Sequence, residues 1–170
     1  MMQADLSGRA ATRGRGHRPA ALLAMLWALA TPVQAADAWL GTDAQDGGTH
    51  RCVIQSVAQT VDDGYQETPV RLELDRATLR VITESNLDLT LGPLGLVVDD
   101  GVFIAADRVE HDTSLVFEKP IDAITRAFVA GSRARLTLRF WPTWPATGDK
   151  TVEISLAGFT RALHTLSACG

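Results

Sequence analysis

The sequence predicts a mainly β fold, an antiparallel β-sandwich or open barrel with two short helices. Three observations carry this expectation. Apolar and polar residues alternate with a period of two over most of the chain, turn signals separate the alternating runs, and only two stretches show helical spacing. Successive strand side chains face opposite sides of a sheet, so the alternation marks strands with one wet face. Sheets of that kind are usually antiparallel, because parallel strands tend to be buried on both faces. Strand runs with two helices suggest helices laid over an edge or an end of the β structure.

The elements follow in order. Residues 36–49 are small and polar around Trp39-Leu40 and read as an irregular lead-in. Cys52-Val53-Ile54 is the first strand candidate, and Asp62-Asp63-Gly64 reads as a turn. Val70, Leu72 and Leu74 alternate with Arg71, Glu73 and Asp75; Leu79-Arg80-Val81-Ile82 follows; Leu87, Leu89 and Leu91 alternate with Asp88 and Thr90. Asp99-Asp100-Gly101 stands between Leu96-Val97-Val98 and Val102-Phe103-Ile104. An Asp-Gly pair between apolar runs signals a type I′ hairpin, which needs positive φ at both central residues. Ser114-Leu115-Val116-Phe117 adds a strand. Leu136, Leu138 and Phe140 then alternate with Arg135, Thr137 and Arg139, and Val152, Ile154 and Leu156 with Glu153 and Ser155. Ile121, Ile124, Phe128 and Val129 recur at helical spacing between Pro120 and Gly131. Phe159, Ala162, Leu163 and Leu166 form one apolar stripe on a second helix.

The first 35 residues have a different composition. Arg9, Arg13, Arg15 and Arg18 precede an apolar run from Ala20 to Ala30, then Pro32 and the small-residue pattern Val33-Gln34-Ala35. A basic leader, a short apolar core and a small-x-small site define a secretory signal. The run is about half the roughly 20 apolar residues that a membrane-spanning helix needs. The organisation expected is therefore a signal peptide at 1–35, the lead-in at 36–49 and a single β-rich domain at 50–170, in a periplasmic or secreted protein without an integral membrane span. Cleavage leaves 170 − 35 = 135 residues with 12 basic and 19 acidic side chains, a net charge of −7. That acidic balance argues against nucleic acid as a partner.

Two cysteines remain, Cys52 and Cys169. In an exported chain an even cysteine count reads first as a disulfide. The alternatives are a metal pair with His50 or a reactive thiol. Closing the loop between them stabilises a fold by up to about 4–5 kcal/mol in the chain-entropy model.

Three pieces in sequence carry a family likeness. The first is Leu91-Gly92-Pro93-Leu94-Gly95-Leu96-Val97-Val98-Asp99-Asp100-Gly101-Val102. The second is the helix, Gly131-Ser132 and the strand through Phe140. The third is Glu153-Ile154-Ser155-Leu156-Ala157-Gly158-Phe159-Thr160-Arg161-Ala162-Leu163. The chain resembles the invasion-associated locus B family of exported bacterial proteins across residues 50–166, the closing motif being the most specific part. It departs from that pattern in two ways. Residues 105–125 hold no cysteine where members commonly do, and the Leu-Pro-x-Gly order is altered to Gly92-Pro93-Leu94-Gly95. The resemblance implies an exported all-β domain of the periplasm or envelope, no enzymatic activity, no catalytic residues and, for some members, a role in host invasion.

The chain's own chemistry points the same way. A hydrolase nucleophile needs a general base in reach, and no Gly-x-Ser-x-Gly elbow occurs. His50, His111 and His164 each stand alone in their local sequence. His111 adjoins Asp112, but neighbours on a strand point to opposite faces. The acids Asp99, Asp100, Asp107, Glu110 and Asp112 match no calcium-loop spacing. An envelope hydrolase or metal-binding protein using His50, His111 or the Asp99–Asp112 acids is the alternative reading. No phosphate loop, dinucleotide fingerprint or haem motif is present, so no cofactor is expected. Arg133, Arg135 and Arg139 read as a solvated face. Phe140-Trp141-Pro142-Thr143-Trp144-Pro145 joins two strong strands. Tryptophan dominates binding hot spots, and proline stiffening lowers the cost of ordering a loop. Trp141 and Trp144 are thus the candidate contact residues, although the expectation preferred for this segment is that both rings cap an open end of the core. The expected function is a non-enzymatic binding or accessory module whose partner is a protein or envelope component.

Overall fold

The computed structural model describes residues 37–46, 49–142 and 148–169. They fall in one unit that spans Gln34–Gly170. Residues 1–35, read as the export leader, lie outside the described residues.

The element order is β1 (Trp39–Asp46), β2 (Thr49–Ser56), β3 (Gln59–Asp62), β4 (Glu67–Leu74), β5 (Leu79–Thr83), β6 (Gly95–Val98), β7 (Ile104–Ala105), β8 (Arg108–Glu110), β9 (Ser114–Phe117), α1 (Ile121–Ala130), β10 (Arg133–Leu138), β11 (Lys150–Ser155) and α2 (Phe159–Ala168). A seven-stranded sheet runs β1-β2-β4-β5-β9-β8, with β3 beside the first half of β4. A four-stranded sheet runs β11-β10-β6-β7. Every strand pairing is antiparallel and neither sheet closes into a barrel, as the alternation predicts.

The inward positions of the alternating runs build one core. Val70, Leu72, Leu74, Leu79, Val81, Leu115 and Phe117 come from the large sheet; Leu96, Ala134, Leu136, Leu138, Val152 and Ile154 come from the small one. The helices contribute Ile124, Phe128, Phe159, Ala162 and Leu166. Trp39, Phe128 and Phe159 meet edge to face, with ring centroids 4.9 to 6.0 Å apart. Such pairs add to area burial because the positive ring edge meets the negative ring face. Gly158, in the closing motif, opens α2 with φ 85°, and a Cβ there would lie 2.7 Å from the Asp37 carboxylate. Only glycine suits that combination of left-handed backbone and close approach. Outside the core, ion pairs link Arg51 to Glu73 and Asp75, Arg80 to Asp75 and Glu110, and Arg108 to Glu110 and Glu118.

Four expectations need correction. The segment 36–49 is not irregular, because it supplies β1, which pairs with β2 from Trp39 opposite Ser56 to Asp46 opposite Thr49. Its period-two signal is missing because Trp39 is buried while Leu40, Gly41 and Thr42 face water. Leu87, Leu89 and Leu91 do not form a strand. Leu87 makes one bridge to Phe140. The buried Asp88 carboxylate accepts the Thr90 amide at 2.8 Å and its hydroxyl at 2.6 Å. Such side-chain turns compete with a ladder, and Leu89 and Leu91 are left exposed.

The Asp99–Gly101 turn is present, with the Gly101 amide donating to the Val98 carbonyl at 2.8 Å. Its positive φ falls on Asp99, at 48°, and not on Gly101. The Asp99 carboxylate fixes that residue by accepting the amides of Ser132 and Arg133. The returning strand is only Ile104–Ala105, so Val102 and Phe103 remain in the loop and exposed. Arg139, the fourth, is not on a solvated face but buried.

Candidate functional site

Three segments meet beyond the strand ends. They are the β3–β4 turn at 62–66, the stretch 84–92 that follows β5, and residues 139–142 with 148–150, which flank the Trp-Pro loop. Main-chain bonds run between them: the Trp141 amide donates to the Asn86 carbonyl and the Asp88 amide to the Arg139 carbonyl, both at 2.8 Å. The Ser85 hydroxyl donates to the Asp63 carboxylate at 2.5 Å, and Lys150 pairs with Asp62 at 3.6 Å.

Asp63 is buried and anchors its turn by accepting the amides of Tyr65 and Gln66 at 2.8 Å each. Burial pushes its carboxyl upward. The Ser85 hydroxyl, the two amides and the Lys150 charge outweigh that and hold it below the ordinary aspartate value of 3.8.

Arg139, expected on a solvated face, is buried to 6 % exposure. Leu138 and Phe140 on either side are buried, and Arg139 is covered by Asp149 and the 88–92 stretch, which the alternation does not report. Its Nε donates to Asp149 at 2.8 Å, and Nη1 reaches the carbonyls of Asp88 and Gly92 at 3.4 Å. A buried guanidinium is tolerable when paired and hydrogen-bonded. This one ties both ends of the Trp-Pro loop to the 88–92 stretch. Arg133 and Arg135 are solvated as expected and pair loosely with Glu153.

Around this framework the apolar side chains face water. Trp141 is 60 % exposed, Tyr65 and Leu91 are each 66 % exposed, and Leu89 is also exposed. Trp141 therefore does not cap the core. Trp144 lies outside the described residues. The sequence does not single out Tyr65, Leu89 or Leu91 as exposed neighbours of the loop. Tyr65 carried the turn signal of Asp62-Asp63-Gly64 beside it, whereas the two leucines were hidden by their apparent strand alternation. A second apolar surface lies between α1 and the 98–104 loop, a groove of about 450 Å³ lined by Val98, Ile104, Ala123 and Ala127 beside the exposed Val102.

The other candidate residues are not brought together. His111 and Asp112 both sit exposed in the β8–β9 turn, at φ 50° and 59°. Asp107 accepts the amides of Glu118 and Lys119, and those bonds lower its carboxyl. Glu110 is lowered by its hydrogen bond and ion pair with Arg108. Asp99 is occupied by the two amides named above. His164 is exposed on α2, and the side chain of His50 lies outside what is described. Among the described residues, no three His, Cys, Asp or Glu side chains group to hold a metal. Cys52 and Cys169 form a disulfide, with Cα atoms 6.2 Å apart, which joins β2 to the end of α2. Among the described residues no helix is long and apolar enough to cross a membrane.

No family model matches the chain, and no curated protein sequence matches it. Among solved structures, it is similar to invasion associated protein B from Bartonella henselae, with a TM-score of 0.51 at 18 % identity. The match covers 79 % of this chain and 94 % of that one. At that identity the likeness is one of fold, and it agrees in fold with the resemblance carried by the closing Ser155–Leu163 motif.

Proposed function

We propose that the chain is an exported, non-enzymatic module of the bacterial envelope, periplasmic or secreted, that binds a protein or another envelope component through the loop cluster around Trp141. The observation that carries this reading is the pairing of a rigid frame with exposed apolar side chains. Main-chain bonds, Asp63 and Arg139 fix the three segments, while Trp141, Tyr65, Leu89 and Leu91 stay in water. Burying such side chains against a partner is favourable in proportion to the apolar area removed from water. A frame that is already ordered lowers the entropic cost of doing so. The disulfide and the basic, apolar leader support an oxidising destination. The fold likeness to invasion associated protein B fits an accessory envelope role.

The test is a crosslinking pull-down from intact cells, comparing wild type with Trp141→Ala at matched thermal stability. One partner captured by wild type and lost from the variant is the expected result. Equal capture by both would remove the loop cluster as the contact surface.

A further inference from the structure

Charge at the loop cluster is not evenly shared with the rest of the molecule. The segments 62–66, 84–92, 139–142 and 148–150 hold five acids, Asp62, Asp63, Glu84, Asp88 and Asp149, against the two bases Arg139 and Lys150, and Glu67 follows directly on the first. That is a net charge of 2 − 5 = −3 in 21 residues, whereas the other 114 residues after position 35 carry 10 bases and 14 acids, or −4. Both bases at this end are already engaged, Arg139 by Asp149 and Lys150 by Asp62. Glu67 and Glu84 are exposed and, among the described residues, have no cation within ion-pair distance. Glu67 stands directly opposite Asp62 in the β3–β4 register, and the Glu84 amide donates to Thr68 beside it. Like charges directly opposite on paired strands are destabilising. The nearest uncommitted cation on that face of β4 is Arg71, opposite Ile82.

We infer that the apolar surface of Trp141, Tyr65, Leu89 and Leu91 takes a cationic polypeptide segment in which Lys or Arg residues flank apolar ones. This rests on the reading of the loop cluster as a contact surface and adds the chemistry of the partner. The apolar side chains supply the area to be buried. The acids Glu67 and Glu84, unpaired among the described residues and at the edges of the same segments, select positive charge, steer its approach and disfavour acidic segments. A polypeptide fits better than a cationic polysaccharide because the exposed groups include two leucines, which need apolar side chains opposite them.

The experiment titrates the disulfide-closed protein into three labelled probes, read by fluorescence anisotropy. The probes are a peptide alternating Lys with Leu, the same peptide with Glu for Lys, and a chitosan oligomer. The Lys-Leu peptide is expected to bind at least about tenfold more tightly than the other two. It should weaken as salt is raised, and lose affinity both in Trp141→Ala and in the Glu67→Gln/Glu84→Gln double variant. Thermal melts that match wild type exclude misfolding in either. Equal binding of the two peptides, lost in Trp141→Ala, overturns the cationic preference and leaves the contact surface standing. Binding lost in the double variant but unchanged in Trp141→Ala removes the contact surface itself. Equal binding of chitosan overturns the polypeptide assignment, and no binding of the Lys-Leu peptide overturns the inference outright.

Discussion

Two tryptophans in this chain meet opposite fates. Trp39 is 2 % exposed, lies edge to face against Phe128 and Phe159, and gives its indole N–H to the Ser155 carbonyl at 2.9 Å. Trp141 is 60 % exposed, and what fixes it is its backbone amide, bonded to Asn86. Around Trp39 the rings are the structural material. Around Trp141 the main chain, Asp63 and Arg139 do the holding, and the ring is left over. The difference shows how a small β-domain can keep its aromatic packing under the helices and leave other rings exposed on a hydrogen-bonded rim.

That contrast can be broken first at Phe159. Phe159→Ala removes the ring that joins Trp39 to Phe128 and should cost about 3–5 kcal/mol, the usual range for truncating a buried Phe. Chemical denaturation checks it, and a loss below about 1 kcal/mol would mean that α2 adds little to the core. Cys52→Ser should come next, lowering stability by about 2–4 kcal/mol under oxidising conditions and leaving wild type and variant alike in reductant. Equal melting temperatures in oxidant would show that the disulfide adds nothing.

At the rim, Asp63→Ala should cost about 1–3 kcal/mol at neutral pH, because the Ser85 hydroxyl and two amides lose their acceptor. The Asp63 carboxyl is depressed in the folded state, so its stabilisation is present above the ordinary value of 3.8 and fades as pH falls through the folded value. Urea unfolding at neutral pH and in acid should therefore show the gap between wild type and variant closing in acid. A gap independent of pH would assign the loss to packing instead. The smallest effect belongs to Trp141→Ala, within about 0.5 kcal/mol of wild type. A loss like that of Phe159→Ala would erase the distinction between the two rings.

The core was readable from sequence wherever one face of a strand is buried and the other wet. Val70-Leu72-Leu74 and Leu136-Leu138 announced themselves by alternation, and the Ile124-Phe128 and Phe159-Ala162-Leu166 stripes by helical spacing. β1 was not readable, since an edge strand held by its backbone needs no apolar rhythm. The site was half legible. Trp141 stood out by residue type and its proline neighbour. Leu89 and Leu91 mimicked a strand, and the Asp88–Thr90 bonds that prevent one are local chemistry that alternation does not report. Arg139 belongs to the same class, because its burial depends on Asp149 and on two carbonyls of a segment 47 to 51 residues away.

The disulfide has a consequence for the order in which the chain can fold. Cys169 follows Cys52 by 117 residues, and Phe159, Ala162 and Leu166 arrive with the same helix that carries it. In a chain synthesised from its N-terminus, the strands of both sheets emerge before the last third of the aromatic cluster and the second thiol are available. Until then Trp39 has no Phe159 to meet, and Cys52 has no partner within its own chain. Folding is thus completed only when α2 arrives, and the interval before that is when a holding chaperone or a competing thiol would find this protein.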